Sequence, residues 1–149
     1  MPTTRRANDR SASAGVAENR TELRLIVSDL ESAAPSIDRA TAIAKQRKDR
    51  AREAAALKLR GALQRLLGFP VAAIDTLRHA LTLSAVGQDA SLGAELLYQY
   101  GAALSDGGDV ERARDVWHTS MEAFDRINAR QWVGRLRKRL SEGGNHRYF

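Results

Sequence analysis

From residue 18 onward, large apolar residues recur at helical spacing, and residues that favour turns interrupt them at regular places. Leu23, Ile26, Val27 and Leu30 fall on one stripe and predict a first helix over about 19–33. Pro35 disfavours helical geometry at the residue before it and suits the opening turn of a new helix. A second helix is therefore expected from there, with Ser36 as its cap and Ile37, Ala40, Ile43 and Ala44 on its buried face. The run QRKDRAREAA contains neither Gly nor Pro, so this helix could continue into the third. The third, over 50–67, turns Leu57, Gly61, Leu66 and either Leu63 or Ala62 inward and ends at Leu67-Gly68. Pro70 then opens a fourth over 70–86, burying Ala73, Ile74, Leu77, Ala80 and Leu81, with Leu83 a further candidate. Asp89 or Ser91 caps a fifth over 91–105, with Leu96, Leu97, Tyr100, Gly101 and Leu104 inside. Asp106-Gly107-Gly108-Asp109 is the strongest turn signal. Beyond it, a sixth helix over 109–126 carries Val110, Ala113, Val116, Trp117, Ser120, Met121 and Phe124 on one side and ends near Asn128. A seventh, over 129–140, sets Trp132, Val133 and Leu136 against Arg130, Arg135, Arg137, Lys138 and Arg139.

Within this pattern one unit is written twice. An offset of 40 positions lays Leu57 on Leu97, Gly61 on Gly101, Gly68 on Gly108, Ala73 on Ala113, Leu77 on Trp117 and Ala80 on Ser120. A small residue in mid-helix facing a large one on the next helix describes two closely pressed helices. The same offset lays Ala33 and Ala40 on Ala73 and Ala80, making the first hairpin a degenerate copy, and it places a break near 47–50.

These residues resemble the tetratricopeptide repeat family. The likeness is fullest over 54–124, less over 129–140 and least over 19–48. A 40-residue unit is longer than that family's usual length of about 34, and the difference falls around 83–89. The resemblance implies an all-α fold, an alpha-solenoid of stacked antiparallel hairpins with about seven helices, the last a C-terminal cap. The repeat domain is expected over 19–140, between flexible tails at 1–18 and 141–149. The segment from Gly108 to Leu140 is also similar to the helical repeat arm of large bacterial transcription regulators. The family lines its concave groove with the first helix of each pair. Carried over, its groove positions are Ala55, Lys58, Ala62 and Arg65, then Glu95, Tyr98, Ala102 and Ser105. With Gly134 taken as the small residue of a third unit, Gln131, Arg135 and Lys138 join them. The asparagine pattern with which some members grip a terminal carboxylate is absent.

Composition agrees with closely packed helices. Aromatics make up 5% of the 149 residues, and Ala, Leu, Ile and Val supply most of the apolar surface. There is no cysteine, so neither disulfides nor thiolate metal sites are available. No apolar run approaches a membrane span of about 18 residues, and no apolar stretch follows Arg5 and Arg6 as in a secretory leader. The expected location is cytoplasmic. The net charge of +6 is unevenly spread: nine Lys or Arg against six acids over 21–60, two against three over 61–100, and nine against seven over 101–149.

No sequence motif calls for catalysis. His79 and His118 lack a second histidine at i+4, His146 lies in the tail, and no carboxylate pair is placed for metal or glycosidase chemistry. Phosphate-loop, dinucleotide and nucleophile-elbow motifs are absent. Trp117, Trp132, Met121 and Phe124 could form an aromatic ligand box, but their helical spacing assigns them to the core, with Trp132 partly available to a partner. The chain is thus expected to be a non-enzymatic interaction module without cofactor, binding an acidic or amphipathic segment of another protein. Two other readings remain open. Cations over 47–60 and 135–139 could meet nucleic acid, or Leu23, Ile26 and Val27 could join two copies through the first hairpin.

Overall fold

The turns between helices set the spacing of the whole structure. A computed structural model describes residues 3–87 and 89–142, with side chains from residue 20 onward. Among the described residues there are six α-helices and no strand: α1 (Thr3–Gln46), α2 (Arg50–Leu66), α3 (Pro70–Ser84), α4 (Ala90–Asp106), α5 (Val110–Arg126) and α6 (Arg130–Ser141). From α2 to α6 each helix begins 20 residues after the one before. The 40-residue unit therefore divides into halves built to the same length.

The turns after α1, α2, α4 and α5 show how. Their middle residue is left-handed: Lys48 (φ 54°), Gly68 (φ 88°), Gly108 (φ 93°) and Asn128 (φ 58°). The next amide then reaches back five residues: Asp49 to Ala44 O at 2.9 Å, Phe69 to Gln64 O at 2.8 Å, Asp109 to Leu104 O at 2.9 Å and Ala129 to Phe124 O at 2.9 Å. This is the Schellman closure, which satisfies carbonyls left over at a helix end. The residue just before a helix also starts it. Asp49, Asp89 and Asp109 accept from the amides of Arg52, Leu92 and Arg112 at 3.1, 3.0 and 3.3 Å. Of the two candidate caps for α4, Asp89 is the one used. After Phe69, which makes no such bond, Pro70 at the first position takes the place of a cap.

The chain divides into two compact units, Met1–Ala33 and Ala34–Phe149. In the second, α2 packs on α3, α3 on α4, α4 on α5 and α5 on α6, and α2 also meets α4. Ala54, Ala73, Leu77, Ala80, Leu96, Ala102, Ala103, Ala113, Phe124 and Leu136 are sealed from solvent. The polar groups inside are matched: Ser120 Oγ donates to Ala94 O at 2.8 Å and Trp117 Nε1 to Tyr98 O at 3.1 Å. Among the described residues no buried side-chain polar atom lacks a partner. No described helix is long and apolar enough to cross a membrane.

The helix boundary expected at Pro35 is corrected. Pro35 does not separate two helices; it lies inside α1, and Ser36 is a mid-helix residue rather than a cap. A proline ring removes one amide donor, here the partner of the Glu31 carbonyl. Pro35 is exposed, so water can satisfy that carbonyl, while Ala33, Ala34, Ala40, Ala42 and Ala44 favour helix on both sides. The expected first and second helices are thus one, and six helices lie among the described residues where seven were expected. Residues 3–18, whose composition suggested a flexible tail, are also within α1. The tail expected at the other end falls largely on 143–149, outside the described residues.

The two mid-helix glycines sit where the repeat required them. A Cβ added to Gly61 would lie 2.5 Å from Leu77 Cγ, and one on Gly101 2.5 Å from Trp117 Cδ1. Both large partners are buried and cannot swing into open space. Gly93 and Gly134 are helical too, yet an added Cβ would meet nothing within 4 Å. The same substitution should therefore have opposite signs. Gly101→Ala is expected to lower stability by about 1–3 kcal/mol through overpacking. Gly93→Ala should raise it by about 0.5–1 kcal/mol through helix propensity. Urea unfolding of the two variants against the parent chain measures both.

Candidate binding groove on α2, α4 and α6

Because α2, α4 and α6 start 40 residues apart, equivalent positions come round on the same face: 58, 98 and 138; 62, 102 and 142; 65 and 105. A cavity of about 530 Å³ opens on this face. It is lined by Arg65 from α2, by Tyr98, Ser105 and Asp106 from α4, by Trp117 from α5, by Arg135, Lys138 and Arg139 from α6, and by Glu142 just after it. Four of the residues expected to line a groove, Arg65, Tyr98, Arg135 and Lys138, are brought together here. Ser105, carried over with them, lines it too.

The others are placed differently. Lys58 and Glu95 form an ion pair between α2 and α4. Arg65 Nε is 2.7 Å from Asp106 Oδ2, and its Nη1 donates to Gln99 Oε1 at 3.2 Å. Lys58 and Arg65, expected as cations facing a ligand, are thus occupied in joining α2 to α4. Their side chains are only 23% and 20% exposed. Ala102 is sealed in the core, Ala62 is half-buried, and Gln131 is exposed outside the cavity lining. Ala55 lines a separate apolar hollow with Ile37, Ile43 and Leu59.

The register assumed for α6 is also corrected. Its start lies 40 residues after that of α4, so Ser141 rather than Gly134 stands where Gly61 and Gly101 do. Gly134 indeed faces no helix closely. Seven residues separate 134 from 141, about two helical turns. That keeps Arg135 and Lys138 on the intended face, two turns earlier than expected.

Tyr98 and Trp117 give the cavity an aromatic floor, and Trp132 packs on Tyr98 from outside the lining. Trp132 stacks on Phe124 at 4.8 Å between ring centres and meets Tyr98 edge-on at 5.1 Å and 66°. Arg139 lies 4.9 Å above Trp117 and 5.8 Å from the Tyr98 ring, and donates to the Tyr98 hydroxyl at 3.2 Å. Arg135 lies 5.3 Å from the Trp132 ring. Trp117 and Phe124 are buried core residues, and Trp132 is half-buried. Sequence reasoning missed Arg139 as a groove residue by setting it on the side of the helix opposite Trp132, Val133 and Leu136. The 40-residue offset contained the signal, since it lays Arg139 on Gln99, the residue that receives Arg65.

Arg135 and Lys138 are exposed, and neither forms an ion pair among the described residues. The lining carries four cations against two carboxylates, and two of the cations remain available to a ligand. His79 and His118 are exposed on α3 and α5, and His146 lies outside the described residues. Among the described residues no group of three or more potential ligands is placed to hold a metal.

No protein-family model matches the chain, and a comparison with curated proteins finds no significant match.

The pairing of Arg65 with Asp106 should be measurable as a coupling. A double-mutant cycle through Arg65→Ala and Asp106→Ala is expected to give about 0.5–1 kcal/mol in low salt. The coupling should shrink in concentrated salt as screening rises.

Proposed function

We propose that the helices of the second unit are stacked hairpins of tetratricopeptide-like type, and that their α2/α4/α6 face binds an acidic or amphipathic segment of another protein. The chain then acts as a non-enzymatic adaptor. The equal lengths of the half-units and the close approach of helices at Gly61 and Gly101 support the architecture. The likeness of the last two helices to the repeat arm of bacterial transcription regulators suggests a regulatory setting.

One observation carries the binding reading: Arg135 and Lys138, exposed and without an ion pair among the described residues, line a cavity whose floor includes Tyr98 and Trp117. A carboxylate arriving there gains charge-assisted hydrogen bonds without breaking an internal ion pair. The rings of Tyr98 and Trp117, which line the cavity, offer apolar contact to neighbouring side chains of the same segment. A peptide or helix held by a few such anchors is a common recognition mode.

The expected result is loss of partner capture by Arg135→Glu/Lys138→Glu. Proteins retained by the parent chain and absent from this variant are identified by mass spectrometry, and the acidic segment is then titrated as a synthetic peptide. Its affinity should fall at least about tenfold, with the melting temperature within about 2 °C of the parent, as for other surface changes. An unchanged affinity would remove the reading. A ligand held through several phosphates would instead lose affinity steeply with salt even for the parent chain, and would favour nucleic acid.

A further inference from the structure

In the first unit Leu23, Ile26 and Val27 are 61%, 54% and 40% exposed. With half-buried Leu30 they follow one stripe of α1, positions 23, 27, 30 and 34 repeating in alternate steps of four and three. That spacing belongs to a helix whose stripe meets another helix. The two edges of the stripe differ. Along one run Arg24 and Glu31, which border a shallow hollow with Leu23, Val27 and Ser28. Along the other run Ile26 and Ala33.

Arg24 and Glu31 are seven residues apart, about 10 Å along a helix, too far to pair with each other. Neither is in an ion pair among the described residues. In a two-fold antiparallel pair of helices, like edges meet. An axis between positions 27 and 28 then brings Arg24 of each helix level with Glu31 of the other, making two opposite-charge contacts around a shared apolar seam. A parallel pair would join unlike edges and set Glu31 beside Ile26. Charge complementarity therefore selects both the occupant and its direction.

We infer that the stripe Leu23, Ile26, Val27 and Leu30 is the contact surface for a second copy of this chain, packed antiparallel and closed by reciprocal Arg24–Glu31 pairs. None of the residues named for this interface is a groove residue, so it can be tested without reference to groove binding.

Sedimentation of the full chain in low salt tests it. The parent chain should be a dimer. Arg24→Glu or Glu31→Arg alone replaces attraction with repulsion at both contacts and should raise the dimer dissociation constant about tenfold or more. Arg24→Glu with Glu31→Arg should return it to within about threefold of the parent, a rescue that a loss of folding cannot mimic. Val27→Asp should yield a monomer with its helical circular dichroism retained. A parent chain that remains monomeric up to about 1 mM, or a double swap no tighter than the single variants, overturns the inference.

Discussion

Much of the second unit depends on the contact between Gly101 and Trp117. With no Cβ in the way, the indole lies against the α4 backbone, near enough for its N–H to reach Tyr98 O. That bond holds the ring plane, and the ring plane supports Arg139, which in turn meets the Tyr98 hydroxyl. The groove's aromatic and cationic surface thus descends from a missing methyl group. At Gly61 the same approach brings in Leu77 instead. Leucine fills the space but offers neither a donor nor a ring face, and the aromatic side of the cavity consequently lies toward α4, α5 and α6.

A second constraint is the turn. Closing a helix with a left-handed residue and a five-residue back-bond leaves little freedom in linker length. The constant 20-residue spacing of helix starts keeps equivalent residues in register over successive hairpins. Only then can Lys58, Tyr98 and Lys138, far apart in sequence, occupy corresponding positions on one face. Lys48 and Asn128 adopt the left-handed conformation without being glycine. Asparagine tolerates it well, and lysine less so. The turn geometry is therefore maintained by its hydrogen bonds as well as by residue choice.

Helix boundaries from 50 to 141 were legible because Gly68, Pro70, Asp89, Gly108, Asp109 and Asn128 act through local chemistry, within a few residues of themselves. Packing at Gly61 and Gly101 was legible because the repeat states it twice. What local rules could not reach was the competition among long-range partners. Pro35 looked like a boundary because its cost is local, whereas the tolerance of that cost depends on exposure and on helix formers on both flanks. Lys58 and Arg65 looked like ligand-facing cations because nothing near them in sequence neutralises them. Glu95 and Asp106, 37 and 41 residues away, do so only once α2 and α4 lie side by side. The 20-residue half-period was hidden for a related reason: α3 and α5 bury other side chains than α2 and α4, although their starts keep the same spacing.

This use of cations gives the groove a direction. Where α2 meets α4, Lys58 and Arg65 are each answered by an acid of α4, so that part carries little net charge. Toward α6 the balance changes: Arg139 rests on rings and a hydroxyl instead of a carboxylate, while Arg135 and Lys138 remain exposed. Opposite ends of the α2/α4/α6 face thus differ in charge over the width of a few helices. Under the proposed function, a segment with acids at one end and apolar residues at the other would bind in a single orientation, because reversing it would bring its carboxylates toward Glu95 and Asp106. Pairing at one end would then contribute to specificity by disfavouring the reversed mode, as well as to stability by joining α2 to α4.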